Sequence, residues 1–269
     1  MVRKFDFYII PTPIGNIQDI TLRAVEILKS VDLIACEDTR VTQKLLNHYK
    51  IQTKCISYHK YNEKERVKYF LDELKSGKKI ALVSDAGTPM ICDPGSIIIS
   101  ELRLSGYSIS ALPGACALTT FLSLVPRNDE KFYFIGFMPR GEKQIIDTVK
   151  NNISQNIVFY ESPERILSTL KTISKTRPNT QIALARELSK LYEEVIIDDI
   201  NNVLNYFKDG IKGEIVCMIY ADNSPEDINI DFKIQALKEK GFKDKEISVI
   251  LSTLYGFNKN EIYKKTIEL

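Results

Sequence analysis

Three runs of proline and glycine hold the residues best suited to cradle a ligand. They are Pro11-Thr12-Pro13-Ile14-Gly15, Ser84-Asp85-Ala86-Gly87-Thr88-Pro89 running on to Asp93-Pro94-Gly95, and Leu112-Pro113-Gly114-Ala115-Cys116. Glycine lets a backbone approach a bound group closely, and proline sets the shape of a loop without offering a donor. Each run alone reads as a tight turn. Three of them at the ends of buried strands read as a place where backbone amides and carbonyls meet an adenine and a ribose. The chain has no G-x-G, no G-x-x-x-x-G-K-[ST], no H-E-x-x-H and no G-x-S-x-G. These absences argue against a dehydrogenase, a P-loop NTPase, a zinc protease and an α/β-hydrolase, and leave a nucleotide-sized ligand on an unusual loop set.

Four polar clusters stand beside these loops. Glu37-Asp38-Thr39-Arg40 puts two acids, a hydroxyl and a guanidinium after an apolar run; it reads as a reactive cluster or as an N-cap with a surface ion pair. Ser57-Tyr58-His59-Lys60 precedes a helix and reads equally as a surface loop. In Tyr160-Glu161-Ser162-Pro163-Glu164-Arg165, the proline is expected at the first helical position, and Glu161 and Arg165 face a substrate or form a cap with its ion pair. Ala185-Arg186-Glu187-Leu188-Ser189-Lys190 carries the same two readings.

The elements that must position these groups follow from the apolar pattern. Phe7–Ile10, Leu33–Cys36, Ile80–Val83 and Ile109–Leu112 are short continuous apolar or β-rich runs, as in strands buried on both faces. Between them lie helical repeats: Leu22, Val25, Leu28 and Val31 after a cap at Asp19 or Thr21, a helix over 63–76 stopped by Gly77, and one over 97–104 stopped by Gly106. The alternation predicts an α/β domain over 1–125. Strands at 132–137, 157–160, 182–185, 195–197 and 214–220, with helices near 142–151, 163–174 and 201–208, predict a second α/β domain of mixed strand direction over 126–222. Ala221–Asp231 reads as a polar linker, and 232–269 as two or three short helices broken at Gly241 and Gly256.

Composition sets outer bounds. A chain of 269 residues, 44% hydrophobic and 27% charged, is long enough for two medium domains around sizeable cores. A formal charge of +2 does not announce a nucleic-acid binder but allows a local basic patch. Five cysteines without C-x-x-C spacing read as reduced thiols, and two histidines make a structural zinc site improbable, so no metal is expected. The start Met1-Val2-Arg3-Lys4 lacks the pattern of a signal peptide, and no apolar stretch reaches the ~18 residues of a membrane span, so a soluble, cytoplasmic protein is expected.

Read in order, the motifs resemble one family. P-T-P-I-G-N at 11–16, D-I-T-L-R-A at 19–24, D-L-I-A-C-E-D-T-R at 32–40 and S-Y-H at 57–59 are similar to the ribosomal RNA small subunit methyltransferase I group. So are A-L-V-S-D-A-G-T-P at 81–89, F-Y-E-S-P at 159–163, A-R-E-L-S-K at 185–190 and K-G-E at 212–214. That group lies within the tetrapyrrole methylase superfamily of class III methyltransferases. The resemblance runs nearly end to end, and E-D-T-R together with S-D-A-G-T-P is its most specific part. The chain departs from the pattern at Met90, Ala115, Cys92 and Lys60-Tyr61.

The resemblance implies 2′-O-methylation of a cytidine ribose in the decoding centre of 16S rRNA, within the 30S subunit, with S-adenosyl-L-methionine as donor. It implies two α/β domains with the cofactor between them, a small helical C-terminal extension and a homodimer. Carried over by position, cofactor contacts fall on Pro13, Asp85, Gly87, Thr88, Pro89, Ile91, Cys116, Ala117 and Tyr160. Removing the hydroxyl proton calls for a base or a strongly polar setting, for which Asp38, His59, Glu161 and Glu187 are candidates. Arg40 is counted with Asp38 at the transfer site, and Arg23, Arg165, Arg186 and Lys190 as phosphate contacts. Two rival readings predict different outcomes: a methyltransferase acting on a small tetrapyrrole, and a non-catalytic RNA-binding factor of ribosome assembly.

Overall fold

The computed structural model describes residues 5–127, 131–222, 230–255 and 257–268, with Phe232 described by its backbone only. The first five strands are β1 (Phe7–Ile9), β2 (Leu33–Cys36), β3 (Lys54–Ser57), β4 (Ile80–Val83) and β5 (Ile109–Ala111). They form one wholly parallel sheet in the order β3-β2-β4-β1-β5. Alternate residues of these strands feed two cores. Tyr8, Ile34 and Ala81 pack with Ala24, Leu28 and Leu46, from α1 (Leu22–Ser30) and α2 (Thr39–His48). Phe7, Leu33 and Ile80 pack with Phe70, Leu74 and Ile98, from α3 (Glu63–Lys75) and α4 (Ser96–Leu104). Helices on both faces explain why β2 and β4 read as unbroken apolar runs.

Local chemistry marks the helix ends. Thr21 Oγ1 accepts from the Ala24 N–H at 3.1 Å and caps α1. Gly77 closes α3 at φ +86° and Gly106 follows α4 at φ +78°, left-handed positions that glycine fills without strain.

The second sheet is built from β6 (Phe132–Phe137), β7 (Asn156–Glu161), β8 (Gln181–Arg186), β9 (Glu194–Asp199) and β10 (Ile215–Ile219), in the order β6-β7-β10-β8-β9. Only β6 and β7 run parallel; the other pairs are antiparallel, so the sheet is mixed as expected. One face packs against α6 (Glu142–Asn151), α7 (Ile166–Thr176) and α8 (Ile200–Tyr206). Its other face takes Phe121 from α5 (Ala117–Leu124), and Val125 just beyond it, onto Val158, Ala183, Ala185, Val216 and Met218. The helix that follows the first sheet thus anchors on the second.

One expectation needs correction. Pro163 is not at a helix start: it lies in a turn, and α7 begins at Ile166 after Arg165. Strand β3 and helices α2 and α5 lie outside the expected elements, α2 being announced only by the N-cap reading of the Glu37–Arg40 cluster.

Residues 1–221 and 222–269 separate into two compact units. The second holds α9 (Ile230–Glu239), α10 (Asp244–Tyr255) and α11 (Lys259–Glu268) around Ile234, Ile247, Leu251 and Ile262. Most of the anticipated linker and the expected break at Gly256 lie outside the described residues, as does the N-terminal Met1–Lys4. Among the described residues no helix is long and apolar enough to cross a membrane, and no cluster of histidine, cysteine and carboxylate groups could hold a metal ion.

Candidate active site

All five strands of the first sheet end on one edge, and there the three Pro/Gly loops are tied together. Thr12 and Gly87 exchange backbone hydrogen bonds at 2.9 and 3.0 Å. The Thr12 hydroxyl donates to the Ser84 carbonyl at 3.0 Å, and the Ser84 hydroxyl to the Gly87 carbonyl at 3.0 Å. The third loop joins through the Thr88 hydroxyl, which donates to the Ala115 carbonyl at 2.9 Å. Gly87 sits at φ +80°, and a Cβ there would lie 3.2 Å from Ile14 Cγ2. Glycine is required at that point by conformation and space together.

Beside these loops opens a cavity of about 410 Å³ lined from both sheets. Its volume is in the range of small-molecule sites. Seven of the nine expected cofactor residues line it: Asp85, Gly87, Thr88, Ile91, Cys116, Ala117 and Tyr160. Pro89 is buried and outside the lining, while Pro13 borders a neighbouring pocket that shares Ile14 and Asp85 with the cavity. The floor is apolar, with Ile14, Leu188, Ile215 and Val216, and Phe137 stands edge-on to Tyr160 at 5.7 Å. The first N–H groups of α5 start at the cavity wall with no side-chain cap.

The polar rim is acidic. Pairing of Cys36 with Val83 and with Ser57 sets the next residues of β2, β4 and β3 side by side, which brings Glu37 and Asp38, Asp85, and His59 to one edge. The Asp38 backbone N–H donates to Asp85 Oδ1 at 2.9 Å, linking the E-D-T-R segment to the Ser84–Pro89 loop. The Asp38 carboxylate itself caps α2 and is clasped by Arg40 at 2.6 Å, which holds its pKa down at about 2. Arg40 is otherwise exposed, and His59 accepts from the Tyr61 N–H at 3.3 Å in the adjoining loop. Burial, and then the charge of Asp85, pushes the Glu37 carboxyl up, with His59 pulling the other way. Asp93, on the cavity wall, is pushed up to about 6 by burial and by the charges of Glu37 and Asp85.

Other expected site residues are spent on internal bonds. Glu161 lines the cavity, but its buried carboxylate accepts from the Ser162 N–H at 2.8 Å and the Thr169 hydroxyl at 2.9 Å, and pairs with Arg165 at 3.1 Å. Arg165 also donates to the Met138 and Pro139 carbonyls. Arg186 is held by Glu194 at 2.6 Å, and Lys190 by Glu187 at 2.8 Å and Glu214 at 2.7 Å. Arg23 is exposed on the first turn of α1. Asp93, Glu214, Leu188 and Phe137 line the cavity without having been singled out for it; the D-P-G turn after the Ser84–Pro89 loop was the one available signal for Asp93.

Comparison with known proteins places this geometry in a family. Residues 6–203 match the model for tetrapyrrole (corrin/porphyrin) methylases. The chain is 37% identical over 270 residues to the ribosomal RNA small subunit methyltransferase I of Pasteurella multocida, covering 97% of this chain and 96% of that protein. It is 43% identical over 221 residues to the protein of the same name from Hydrogenobaculum sp., covering 81% and 96%. Among solved structures, a diphthine synthase superposes with a TM-score of 0.64 at 16% identity, over 80% of this chain and 89% of that one. A cobalt precorrin-4 methyltransferase gives 0.58 at 17% identity, over 79% and 93%. Those two structures bear on the fold alone, an α/β methyltransferase fold that here carries a helical C-terminal extension. With the family model spanning most of the chain and relatives matching nearly end to end, the chain belongs to the ribosomal RNA small subunit methyltransferase I group of the tetrapyrrole methylases.

Proposed function

We propose that the protein transfers a methyl group from S-adenosyl-L-methionine to the 2′-hydroxyl of a cytidine ribose in 16S rRNA, acting on the 30S subunit as a cytoplasmic homodimer. The observation that carries the donor is the charge of the cavity. Asp85 and Asp93 line it, Glu37 stands close behind, and the aromatic residues Tyr160 and Phe137 line it too. A sulfonium cation gains from carboxylates and aromatic faces, whereas a triphosphate would be repelled and would find no glycine-rich phosphate cradle. The residues therefore fit this donor.

In this reading residues 1–125 and 126–222 are the two domains that close on the donor. Asp85, Gly87, Thr88, Ile91, Cys116, Ala117 and Tyr160 hold it, with Pro13 and Pro89 shaping the loops. The uncapped start of α5 offers N–H groups to its carboxylate. When bound, the donor supplies a methyl group already activated on sulfur. The remaining work falls to the protein: to orient the ribose oxygen, exclude water and accept one proton. The Glu37–Arg40 segment borders the transfer site because its backbone is bonded to Asp85. Exposed Arg23 meets phosphate at the first sheet's edge, and exposed Arg40 joins it only by sharing its hold on Asp38.

Incubation of the pure protein with labelled donor and unmethylated 30S subunits, followed by mapping of ribose methylation, tests the proposal. A single 2′-O-methylcytidine is expected, together with binding of S-adenosylhomocysteine and none of ATP. Methylation of a precorrin instead, or donor binding without transfer, would overturn it in favour of one of the two rivals.

A further inference from the structure

The proton of the acceptor hydroxyl needs a destination, and most carboxylates near the cavity are already engaged. Glu161 is saturated by Ser162, Thr169 and Arg165, and Asp38 by Arg40. Glu187 is bound to Lys190 and to the Glu214 N–H at 3.0 Å, and Asp85 takes the Asp38 N–H. Asp93 and Glu37 hold no ion pair among the described residues. We infer that Asp93 accepts the hydroxyl proton and that Glu37 is its positioning neighbour, an assignment that rests on the ribose methylation proposed above.

The loop bearing Asp93 is pinned rather than loose. Met90 takes φ +72° and Gly95 φ +144°, and a Cβ on Gly95 would lie 2.6 Å from Met90 Cγ. From beneath, the Gly95 N–H donates to buried Glu63 Oε1 at 3.1 Å, and the buried Tyr58 hydroxyl donates to the same oxygen at 2.6 Å. This chain of bonds fixes the turn that aims Asp93 at the cavity. In the reaction the hydroxyl proton passes to an Asp93 oxygen as the oxygen–methyl bond forms. The methyl–sulfur bond breaks with its electron pair left on sulfur, so a cation becomes a neutral thioether and the carboxylate a neutral acid.

Titratable groups facing Asp93 come from several elements: the charged Glu37 after β2 and Asp85 after β4, and the neutral Cys92 thiol beside it and Tyr160 phenol on β7, while the Ser84 hydroxyl works against the upward push. With its pKa raised to about 6, Asp93 is ionised at neutral pH yet a stronger base than an ordinary aspartate. The rate should rise with pH through about 6 and then level. The same shift has a stability sign. The folded pKa lies above that of the unfolded chain, so ionisation costs stability progressively as pH rises from about 4 through 6, and the cost is full above that.

The test compares wild type, Asp93→Asn and Glu37→Gln by S-adenosylhomocysteine calorimetry, single-turnover methylation of 30S subunits across pH, and thermal unfolding. Asp93→Asn is expected to bind S-adenosylhomocysteine as wild type does, to transfer methyl about 100-fold more slowly or worse and to lose the acid limb. It should also melt higher than wild type at about pH 8 but not at about pH 4. Glu37→Gln should move the acid limb to lower pH while leaving affinity for S-adenosylhomocysteine, which lacks the sulfonium charge, alone. Transfer by Asp93→Asn within about threefold of wild type, or an acid limb that Glu37→Gln leaves in place, overturns the assignment. Absence of transfer by wild type would instead strike the ribose-methylation reading, and the melting comparison would still report on Asp93.

Discussion

Glu161 shows how a residue can line a site and still belong to the scaffold. Its carboxylate is fully enclosed, and a hydroxyl, a backbone N–H and the Arg165 guanidinium account for its lone pairs. Arg165 in turn ties two carbonyls after β6, so the pair holds the β7 end to the neighbouring loop. Neutralising one partner of a buried ion pair leaves the other uncompensated, at a cost of about 3 kcal/mol. Glu161→Gln should therefore lower the urea midpoint at unchanged m-value, while the folded fraction methylates at close to the wild-type rate. A variant of normal stability with turnover reduced a hundredfold would return Glu161 to the list of bases. Arg186 and Lys190 are cations of the same kind, each already holding a carboxylate. They can serve RNA only by giving up those partners.

At the scale of elements, the cavity depends on loops from two sheets meeting at close range. Gly15 shows how close: a Cβ there would sit 2.8 Å from the Leu188 carbonyl oxygen and collide with the Lys190 side chain. Beside it Ser189 bonds Asp19 across the same junction. Gly15→Ala should push the 188–190 turn away from the first loop and weaken S-adenosylhomocysteine binding by about tenfold, since overpacking of this kind costs ~1–3 kcal/mol. Gly77→Ala is the control. An alanine at 77 would be strained by the backbone, at φ +86°, but has open space around it, so it should lose stability and leave affinity unchanged. Much of this frame was legible in the sequence because buried parallel strands write continuous apolar runs and their loops need glycine and proline. Strand β3, Lys54-Cys55-Ile56-Ser57, was not, because it is a sheet edge with polar ends and only partial burial. Helix α2 showed only in the cap reading of the charged E-D-T-R segment, whose Asp38 is at once a helix cap and a neighbour of the Ser84–Pro89 loop. Within the site, glycine and proline announce loops, but no local pattern announces that Glu37 and Asp93 share one rim. That arises from strand order and from a distant turn. The pairing of Arg165 with Glu161 is one of the two readings the residues allow, whereas no local spacing announces that Glu194 holds Arg186 and Glu214 holds Lys190.

The whole molecule divides its labour between the two compact units. Among the described residues, every one that lines the cavity precedes Ala221, the last being Val216, and four of the five apolar cores lie in the same stretch. A chain ending at residue 221 should therefore unfold in one cooperative transition and bind S-adenosylhomocysteine within about threefold of the full-length affinity, roughly 0.7 kcal/mol. The complementary fragment 222–269 should behave differently. Its described helices are 10, 12 and 10 residues long, and four apolar side chains make up its buried centre. Isolated helices below about 12–15 residues are marginal in water, and a chain this short gains little from so small a core. Circular dichroism should show partial helix with a shallow, non-cooperative melt. Loss of more than about tenfold in affinity on truncation, or a sharp melt from the isolated fragment, would mean that the donor cavity and the helical unit are coupled in stability rather than built separately.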